Sequence, residues 1–348
     1  MANKEKGGFS VKIECPRCGC ENYFTGLEDE GTRFCSNCNI QLFEKKIPLL
    51  NSFEEISSAA LSAIAKDKST KDIIAILKQG VNLIDGSTSE DIENLNIIAS
   101  LLARPRFRET ETAVKFWERI VELEPLNFIA LKCLVGFYIQ QNRNEDVYQK
   151  GKLLLKSDYR NGIVKDKEIV RLMGSSAKEF DVQNPEKSTS DLYGFLGGFY
   201  FDHKDYALAI SSFNIALEID PNNIDALNNI AVTFFSKTDY SEALKYYKKC
   251  LEVTPSELQK EYRETVEKYA LDPIKAKRLP TAAKANQMIK EAESEILFNI
   301  GECLFMLNKM GDARDALRKS IEKSGEFPHR DLSEVVEEIL AELRKKYR

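Results

Sequence analysis

The sequence predicts an all-α solenoid of helical hairpins, preceded by a small β domain built around paired cysteines. Three observations support this prediction. Residues 190–223 and 224–257 carry the same residue types at positions 34 apart. Over most of the chain after residue 50, apolar residues recur every three or four positions, which is typical of amphipathic helices. Near the N-terminus, four of the eight cysteines fall in two Cys-x-x-Cys pairs.

Composition places the chain among folded proteins and gives no sign of a membrane protein. Apolar residues make up 43% and charged residues 30% of the 348 positions, and the formal net charge is -5. This balance argues against overall disorder and gives no global attraction to nucleic acid or anionic lipid. No long apolar run or secretory signal is present, so we expect a cytoplasmic protein without a membrane-spanning segment.

The paired cysteines of residues 1–48 predict a metal site. Cys15 and Cys18 are separated by sixteen residues from Cys35 and Cys38. Four thiolates in two tight turns complete the tetrahedral shell of one zinc ion and leave no open position, so we expect a structural zinc site. The segment resembles a zinc ribbon, and short strands are expected at 10–14, 23–26, 32–34 and 40–44. Cys20 is either a spare thiol or an alternative ligand.

The charge of the predicted ribbon favours a docking or bracing role over contact with nucleic acid. Residues 1–48 contain seven Lys and Arg and seven Asp and Glu. Phosphate binding requires a clustered positive surface, which this balance does not provide. Contact of the ribbon with RNA or DNA remains the alternative.

Residues 49–182 predict a helical region with irregular hairpins. A Ser52-Phe-Glu-Glu55 sequence indicates a capping box at its start, and Gly151 replaces an expected aromatic residue in a later hairpin. The joint with the following region is expected at 183–190, where polar residues surround a proline. The predicted helices are 53–66, 70–80, 90–103, 109–123, 127–141, 144–157 and 165–180.

The clearest pattern lies in residues 190–257. Tyr193, Leu196, Gly197, Tyr200, Ala209, Phe213, Ala216 and Pro221 are matched by Leu227, Ile230, Ala231, Phe234, Ala243, Tyr247, Cys250 and Pro255. This order and spacing are similar to the tetratricopeptide repeat (TPR) family. The resemblance implies antiparallel helix pairs that stack into a superhelix and bind a partner along a concave wall.

The repeat pattern predicts the organisation of residues 183–328. The clear units are 190–223 and 224–257, with Pro221 and Pro255 ending their second helices. A weaker unit follows at 294–327 after an insertion at 258–293, whose second half is expected to form a helix that starts near Thr281 and projects beyond the stack. Residues 329–348 are expected to form a charged C-terminal capping helix.

The resemblance also implies which side chains face the concave wall. Phenylalanine occupies the twelfth position of each of the three units, and acidic residues lie beside it. The rings are either exposed in the groove or part of the core, and both alternatives are open. The predicted partner-binding residues are Phe201, Asn229, Phe235, Asn299, Phe305 and Met306.

No catalytic constellation is visible in the sequence. His203 and His329 are the two histidines, and neither has a nucleophile or carboxylate at a catalytic spacing. We therefore predict a non-catalytic adaptor or scaffold that binds a protein or peptide with apolar and basic character, together with one structural zinc. The alternatives are a nucleic-acid-associated factor whose ribbon contacts RNA or DNA, and a regulatory subunit of an enzyme.

Overall fold

The computed structural model describes most of the chain after residue 49 and short parts of the N-terminal segment. The described residues are 10–14, 20–25, 33–34, 37, 41–43, 49–66, 68–103, 107–172, 184–269, 279–324, 341 and 345. The predicted C-terminal capping helix falls almost wholly outside them. None of the described helices is both long and apolar enough to cross a lipid bilayer.

Two short antiparallel hairpins form the described part of the N-terminal segment. The first pairs β1 (Ser10–Glu14) with β2 (Glu21–Thr25), in a register that sets Ser10 opposite Thr25 and Glu14 opposite Glu21. The second pairs β3 (Arg33–Phe34) with β4 (Gln41–Phe43). These strands overlap the four segments that the sequence predicts as strands.

Within the described residues, seven helices follow in the front part of the chain. Three short 3-10 helices, Gln79–Asn82, Ile84–Gly86 and Ser89–Asp91, separate the second from the third. The six helices predicted before residue 160 lie within three residues of the expected bounds. The seven helices are α1 (Phe53–Ala65), α2 (Thr70–Lys78), α3 (Ile92–Leu102), α4 (Thr110–Leu123), α5 (Phe128–Gln140), α6 (Asn144–Leu154) and α7 (Tyr159–Leu172).

Six helices form the rear part as three antiparallel hairpins. Each first helix packs against the second helix that follows it, and neighbouring hairpins pack side by side. The helices are α8 (Pro185–Asp202), α9 (Tyr206–Ile219), α10 (Ile224–Ser236), α11 (Tyr240–Tyr269), α12 (Ala282–Met306) and α13 (Met310–Ser324).

Pro255 does not end a helix, which corrects the prediction made from the repeat. Helix α11 continues through this proline to Tyr269. A proline removes one backbone donor, so nearby carbonyl groups need other partners. The hydroxyl of Thr254 donates to the carbonyl of Cys250 at 2.7 Å, and that of Ser256 donates to the carbonyl of Val253 at 2.9 Å. Neither hydroxyl bonds to the carbonyl of Leu251, the group that loses its helical donor at Pro255, so α11 continues with one backbone hydrogen bond missing.

The insertion at 258–293 extends the two neighbouring helices beyond the repeat. The last turns of α11 and the first turns of α12 provide its described residues. Thr281 caps the start of α12 by accepting from the backbone of Lys284 at 3.3 Å, as predicted for a helix starting there. Lys187 and Glu261 form an ion pair at 3.5 Å that ties the extended α11 to α8.

Helix α7 differs from its predicted bounds and lies across the junction of the two regions. It begins at Tyr159 instead of residue 165. Its Gly162 packs so closely on α5 that a Cβ there would lie 2.1 Å from the ring of Phe128. Asp166 forms an ion pair with Lys132 of α5. Lys132 occupies the same position in its hairpin as Gly194 does in the first clear repeat. Helix α7 therefore covers the inner side of α5.

The front and rear helices share a core where the sequence suggests a joint. One cluster of buried apolar side chains runs from Phe53 in α1 to Ile230 in α10. Residues 185–190, predicted as part of a linker, form the first turns of α8. Gly151 lets α6 approach α8, since a Cβ there would lie 2.5 Å from the hydroxyl of Tyr200. Where an aromatic residue is missing from the repeat pattern, the neighbouring hairpin fills the space.

The predicted capping box at the start of α1 forms only in part. The hydroxyl of Ser52 accepts from the backbone of Glu55 at 3.2 Å, as expected. The carboxylate of Glu55 accepts instead from the backbone of Asn51 at 2.8 Å, one residue before the cap. Both side chains nevertheless accept hydrogen bonds from backbone N–H groups at or just before the start of α1.

Candidate functional site

The three rear hairpins share one turn geometry, which aligns their first helices. The second residue after each first helix adopts a left-handed conformation, with φ of 61° at Lys204, 63° at Thr238 and 60° at Asn308. Asn142, between α5 and α6, has φ of 54° at the matching position. In each turn the next backbone N–H donates across the turn at 2.9 Å. The α5–α6 hairpin is thus built as the clear repeats are, although its sequence departs from their pattern.

In two of the hairpins, a glycine allows the first and second helices to approach each other closely. A Cβ on Gly197 would lie 2.5 Å from the ring of Phe213, and one on Gly301 would lie 2.7 Å from the side chain of Leu317. The second hairpin has Ala231 at the corresponding position, where it is fully buried. The small residues of the repeat pattern therefore allow the two helices of a hairpin to pack closely.

A hydrogen bond that the repeat pattern did not predict closes the open end of each of the three rear hairpins. The hydroxyl of Ser190 donates to the carbonyl of Ala216 at 2.9 Å. At the same place in the third hairpin, Ser294 donates to the carbonyl of Ser320 at 2.8 Å. In the second hairpin the direction reverses, since the thiol of Cys250 donates to the carbonyl of Ile224 at 3.8 Å. In the sequence, the signal for this hydrogen bond is a small side chain with a donor group at these positions.

We call the side of α8, α10 and α12 that the repeat pattern predicts to form the concave wall the groove surface. The three phenylalanines predicted to lie on it are each half-buried. The ring of Phe201 contacts Tyr206 at a centroid distance of 5.7 Å, and Phe235 contacts Tyr240 at 5.2 Å. Phe305 packs beside Met310, the residue at the same position of the third hairpin. Each ring therefore packs against its own hairpin and against the buried core, and only part of it is exposed.

Two further apolar side chains are exposed on the groove surface. Met306 is 48% exposed. Phe195 is 56% exposed. Phe195 is not among the predicted binding residues, because it does not belong to the row of phenylalanines at the twelfth position of the units.

The two predicted asparagines are placed differently. Asn229 is exposed and Asn299 is half-buried. Neither side-chain amide hydrogen-bonds to another described residue, although the backbone carbonyl of Asn229 accepts from the hydroxyl of Thr233 at 2.8 Å. Both amides are thus available to a ligand, as donors and as acceptors.

Carboxylates border the phenylalanines. Glu302 is half-buried and makes no ion pair within the part of the chain that the structure describes. Burial raises the pKa of its carboxyl group. Desolvation likewise raises the pKa of Asp191 on the first helix of the first hairpin. A desolvated carboxylate without a counter-charge favours a positively charged ligand group beside it.

The thiols and the histidine of the helical region show no catalytic arrangement among the described residues. Cys250 and Cys303 are fully buried, and burial raises the pKa of their thiols to about 11 and about 12. This placement agrees with the core position predicted for both. His203 is exposed, and its ring contacts the carbonyl of Phe199 at 2.8 Å; His329 lies outside the described residues.

The predicted metal ligands also lie outside the described residues. Cys15 and Cys18 fall in the sequence between β1 and β2, and Cys35 and Cys38 fall between β3 and β4. Cys20 is half-buried and directly precedes β2. The zinc site therefore stays a prediction. In the sequence, one Cys pair falls between the two strands of each hairpin.

Comparison with known structures finds several helical-repeat proteins of low similarity. YrrB, described as a TPR protein with an unusual peptide-binding site, shares 15% identity over 74% of this chain and 97% of its own, with a TM-score of 0.42. A tetratricopeptide repeat protein from Parabacteroides merdae shares 14% over 83% of this chain and 98% of its own, with a TM-score of 0.40. The N-terminal domain of stress-induced protein-1 (STI-1) from C. elegans shares 20% over 45% and 98%, with a TM-score of 0.33. Similarities this low identify no ligand for this chain.

The family comparison agrees with the hairpin geometry. The model of the tetratricopeptide repeat family matches residues 190–223 and 224–257, the bounds expected from the sequence. These residues form α8 with α9 and α10 with the first part of α11. The chain therefore contains two tetratricopeptide repeats, within a longer series of helical hairpins.

Proposed function

We propose that the protein is a non-catalytic interaction adaptor that binds an amphipathic basic segment of a partner protein on the groove surface. The observation that carries this proposal is the row formed by Phe201, Phe235 and Phe305, one at the same position of each hairpin. Half-buried aromatic rings are well suited to anchoring a partner, since they offer a large apolar area and lose little freedom on binding.

The surroundings of these rings support an extended or helical peptide as the ligand. Tyr206 and Tyr240 fix the orientation of two of the rings before any ligand arrives, which lowers the entropic cost of binding. Phe195 and Met306 enlarge the apolar area. The free amides of Asn229 and Asn299 can bond to the ligand backbone, whose groups alternate as donor and acceptor.

The acidic border supports basic side chains in the ligand. Asp191, Asp225, Glu295 and Glu302 lie on the first helices that carry the groove surface. The groove surface therefore suits a segment with apolar residues on one side and Lys or Arg beside them. Such charges determine partner selection and association rate more than affinity.

We extend the proposal to a structural zinc ion held by Cys15, Cys18, Cys35 and Cys38. The donor set fits this metal, because thiolates are preferred zinc ligands and four of them fill its tetrahedral shell. Zinc would supply folding energy to a segment whose described part consists of two hairpins of two to five residues per strand. The ribbon would then dock or brace the adaptor, which we place in the cytoplasm.

Affinity capture from the native cell with two neighbouring variants tests the groove surface. Phe235→Ala removes a groove ring. Phe234→Ala is the matched control, because its ring is also half-buried but stacks on Tyr246 at 5.6 Å with planes 8° apart. Loss of a central aromatic anchor costs about 2 kcal/mol or more, which is roughly thirtyfold in affinity. We expect a stoichiometric partner to be retained by the wild type and by the Phe234 variant and lost by the Phe235 variant.

The converse outcomes are equally clear. A partner that both variants retain would remove the groove surface from the binding site. A partner lost by both would indicate that folding, and not the exposed ring, controls the interaction. Circular dichroism of each variant separates these cases, since a half-buried ring contributes only part of the stability of a core ring.

A further inference from the structure

A second cleft lies in the front part of the chain, away from the groove surface. Its volume is about 650 Å³, which is within the range of ligand-binding pockets. The start of α3 forms one wall, α7 forms the other, and the turn between α4 and α5 forms the floor. The cleft exists because α7 covers the inner side of α5 and leaves a space between itself and α3.

A buried amide without a hydrogen-bond partner lies in this cleft. Asn96 of α3 is 4% exposed, and its Oδ1 atom has no partner among the described residues. The adjacent Asn127 is fully used, since it accepts from the backbone of Ala130 at 3.1 Å and donates to Glu124 at 2.7 Å. A buried polar group without a partner is destabilising, so Asn96 is poorly explained by packing alone. A ligand group in the cleft would satisfy it.

The rim of the cleft is strongly acidic. Five carboxylates line it, whereas a single lysine, Lys165, does so. The exposed carboxylates of Glu93 and Glu168 make no ion pair within the described ranges, and Lys165 makes none there either. The five carboxylates are Glu90, Glu93, Glu124, Asp158 and Glu168. The field in the cleft therefore attracts positive charge.

Apolar side chains lie between the carboxylates and the buried amide. Ile97, Phe128 and Ile169 line the cleft, and Leu126 at its edge is 46% exposed. Lysine and arginine place apolar stems against such surfaces while their charged ends reach carboxylates. The lining is therefore suited to these side chains and poorly suited to an inorganic cation.

We propose that the cleft between α3 and α7 binds a basic peptide segment of a protein partner, with its Lys or Arg side chains at the acidic rim and a peptide group paired to Asn96. The unpaired Oδ1 atom of Asn96 can accept a hydrogen bond from the N–H of a peptide backbone. This site is independent of the groove surface, because no residue is shared between the two.

Arrays of twelve-residue peptides test the proposal on the full-length protein carrying Phe235→Ala, which removes the proposed groove surface as a second binding site for basic peptides. The variants that follow carry the same background change. Each peptide combines leucine with Lys and Arg, with Asp and Glu, or with Ser and Gln. We expect the basic set to be retained, with affinity that falls as salt concentration rises. Equal retention of all three sets, or retention of none, would overturn the proposal.

Charge variants locate the binding within the protein. Glu93→Lys reverses a charge in the first turn of α3, and Glu111→Lys does so in the first turn of α4, outside the cleft. Both residues are exposed, so their effects on folding are matched. We expect Glu93→Lys, alone or with Glu168→Lys, to weaken retention of the basic peptides about tenfold, and Glu111→Lys to leave it unchanged. Equal effects of the two single variants would contradict a site in the cleft.

Asn96→Leu distinguishes a binding role from a structural one. Leucine has nearly the same shape and no unpaired polar atom, so the melting temperature should stay the same or rise. Retention of the basic peptides should fall about tenfold, because a buried ligand amide loses its partner. A lower melting temperature with unchanged retention would show that Asn96 serves the fold only.

Discussion

Two adjacent glycines in α8 give a direct test of the hairpin geometry. Gly197 and Gly198 are consecutive residues, so a Cβ atom at each would point to a different side of the helix. A Cβ on Gly197 would lie 2.5, 2.6 and 2.8 Å from three atoms of the Phe213 ring, whereas a Cβ on Gly198 would meet nothing within 4 Å. The two alanine variants should therefore have opposite effects on stability.

The magnitudes follow from these distances. Alanine is favoured over glycine inside a helix by about 1 kcal/mol, and both variants gain this amount. At Gly197 the new methyl group is roughly 1 Å too close to a ring that is fully buried and cannot move aside. Overpacking of this kind costs about 1–3 kcal/mol. We expect Gly198→Ala to stabilise the protein by about 1 kcal/mol and Gly197→Ala to destabilise it by up to about 2 kcal/mol, the difference between the overpacking cost and the helix gain.

Urea unfolding followed by circular dichroism at the helical band measures both effects. The unfolding midpoint should rise for Gly198→Ala and fall for Gly197→Ala, and the combination of Gly197→Ala with Phe213→Leu should recover part of the loss. Stacked hairpins do not always unfold in one step, so the midpoints of the same transition must be compared. If Gly197→Ala is as stabilising as Gly198→Ala, then α8 and α9 do not approach each other as closely as described.

Three further predictions concern other parts of the chain. Thr238→Gly should stabilise the protein by about 1 kcal/mol, because a β-branched residue is strained at φ of 63°, whereas Lys237→Gly at φ of -84° should not; thermal unfolding measures both. Glu302→Gln should raise the urea midpoint at neutral pH and lose this advantage as the pH falls, because the raised pKa of Glu302 means that the folded protein binds this proton more tightly than the unfolded chain. A wild type that gains no stability relative to this variant on acidification would contradict the raised pKa. Cys35→Ser should release one zinc ion per chain, measured by a colorimetric chelator, with little loss of helical signal; zinc content equal to that of the wild type would remove Cys35 from the ligand set.

The sequence predicted the hairpins well because their positions depend on local chemistry. Small residues such as Gly197, aromatic residues and turn positions recur at a fixed spacing, and each has one physical purpose in a helix pair. Proline misled the prediction at Pro255, since α11 continues through it to Tyr269 although one backbone hydrogen bond is lost. A proline can kink a helix without ending it, so its presence alone could not fix this boundary.

The groove surface could be predicted in part from the sequence. Helical periodicity places Phe201, Phe235 and Phe305 on one side, but it cannot determine how far each ring is covered by its neighbours. The contacts with Tyr206 and Tyr240 show that two of these rings pack against their own hairpins, and both rings are only partly exposed. The cleft could not be predicted at all, since its walls come from helices that are distant in the sequence and Asn96 is marked only by the lack of a partner.

Helix α7 explains why the chain offers two separate surfaces instead of one continuous groove. It packs on Phe128 and pairs through Asp166 with Lys132, so the inner side of α5 is not available to a ligand. The proposed groove surface therefore begins at α8, and the cleft forms where α7 faces α3. We propose basic segments as ligands of both, because both are bordered by carboxylates. A partner with two such segments would bind more tightly than either segment alone, because the second contact becomes intramolecular once the first has formed.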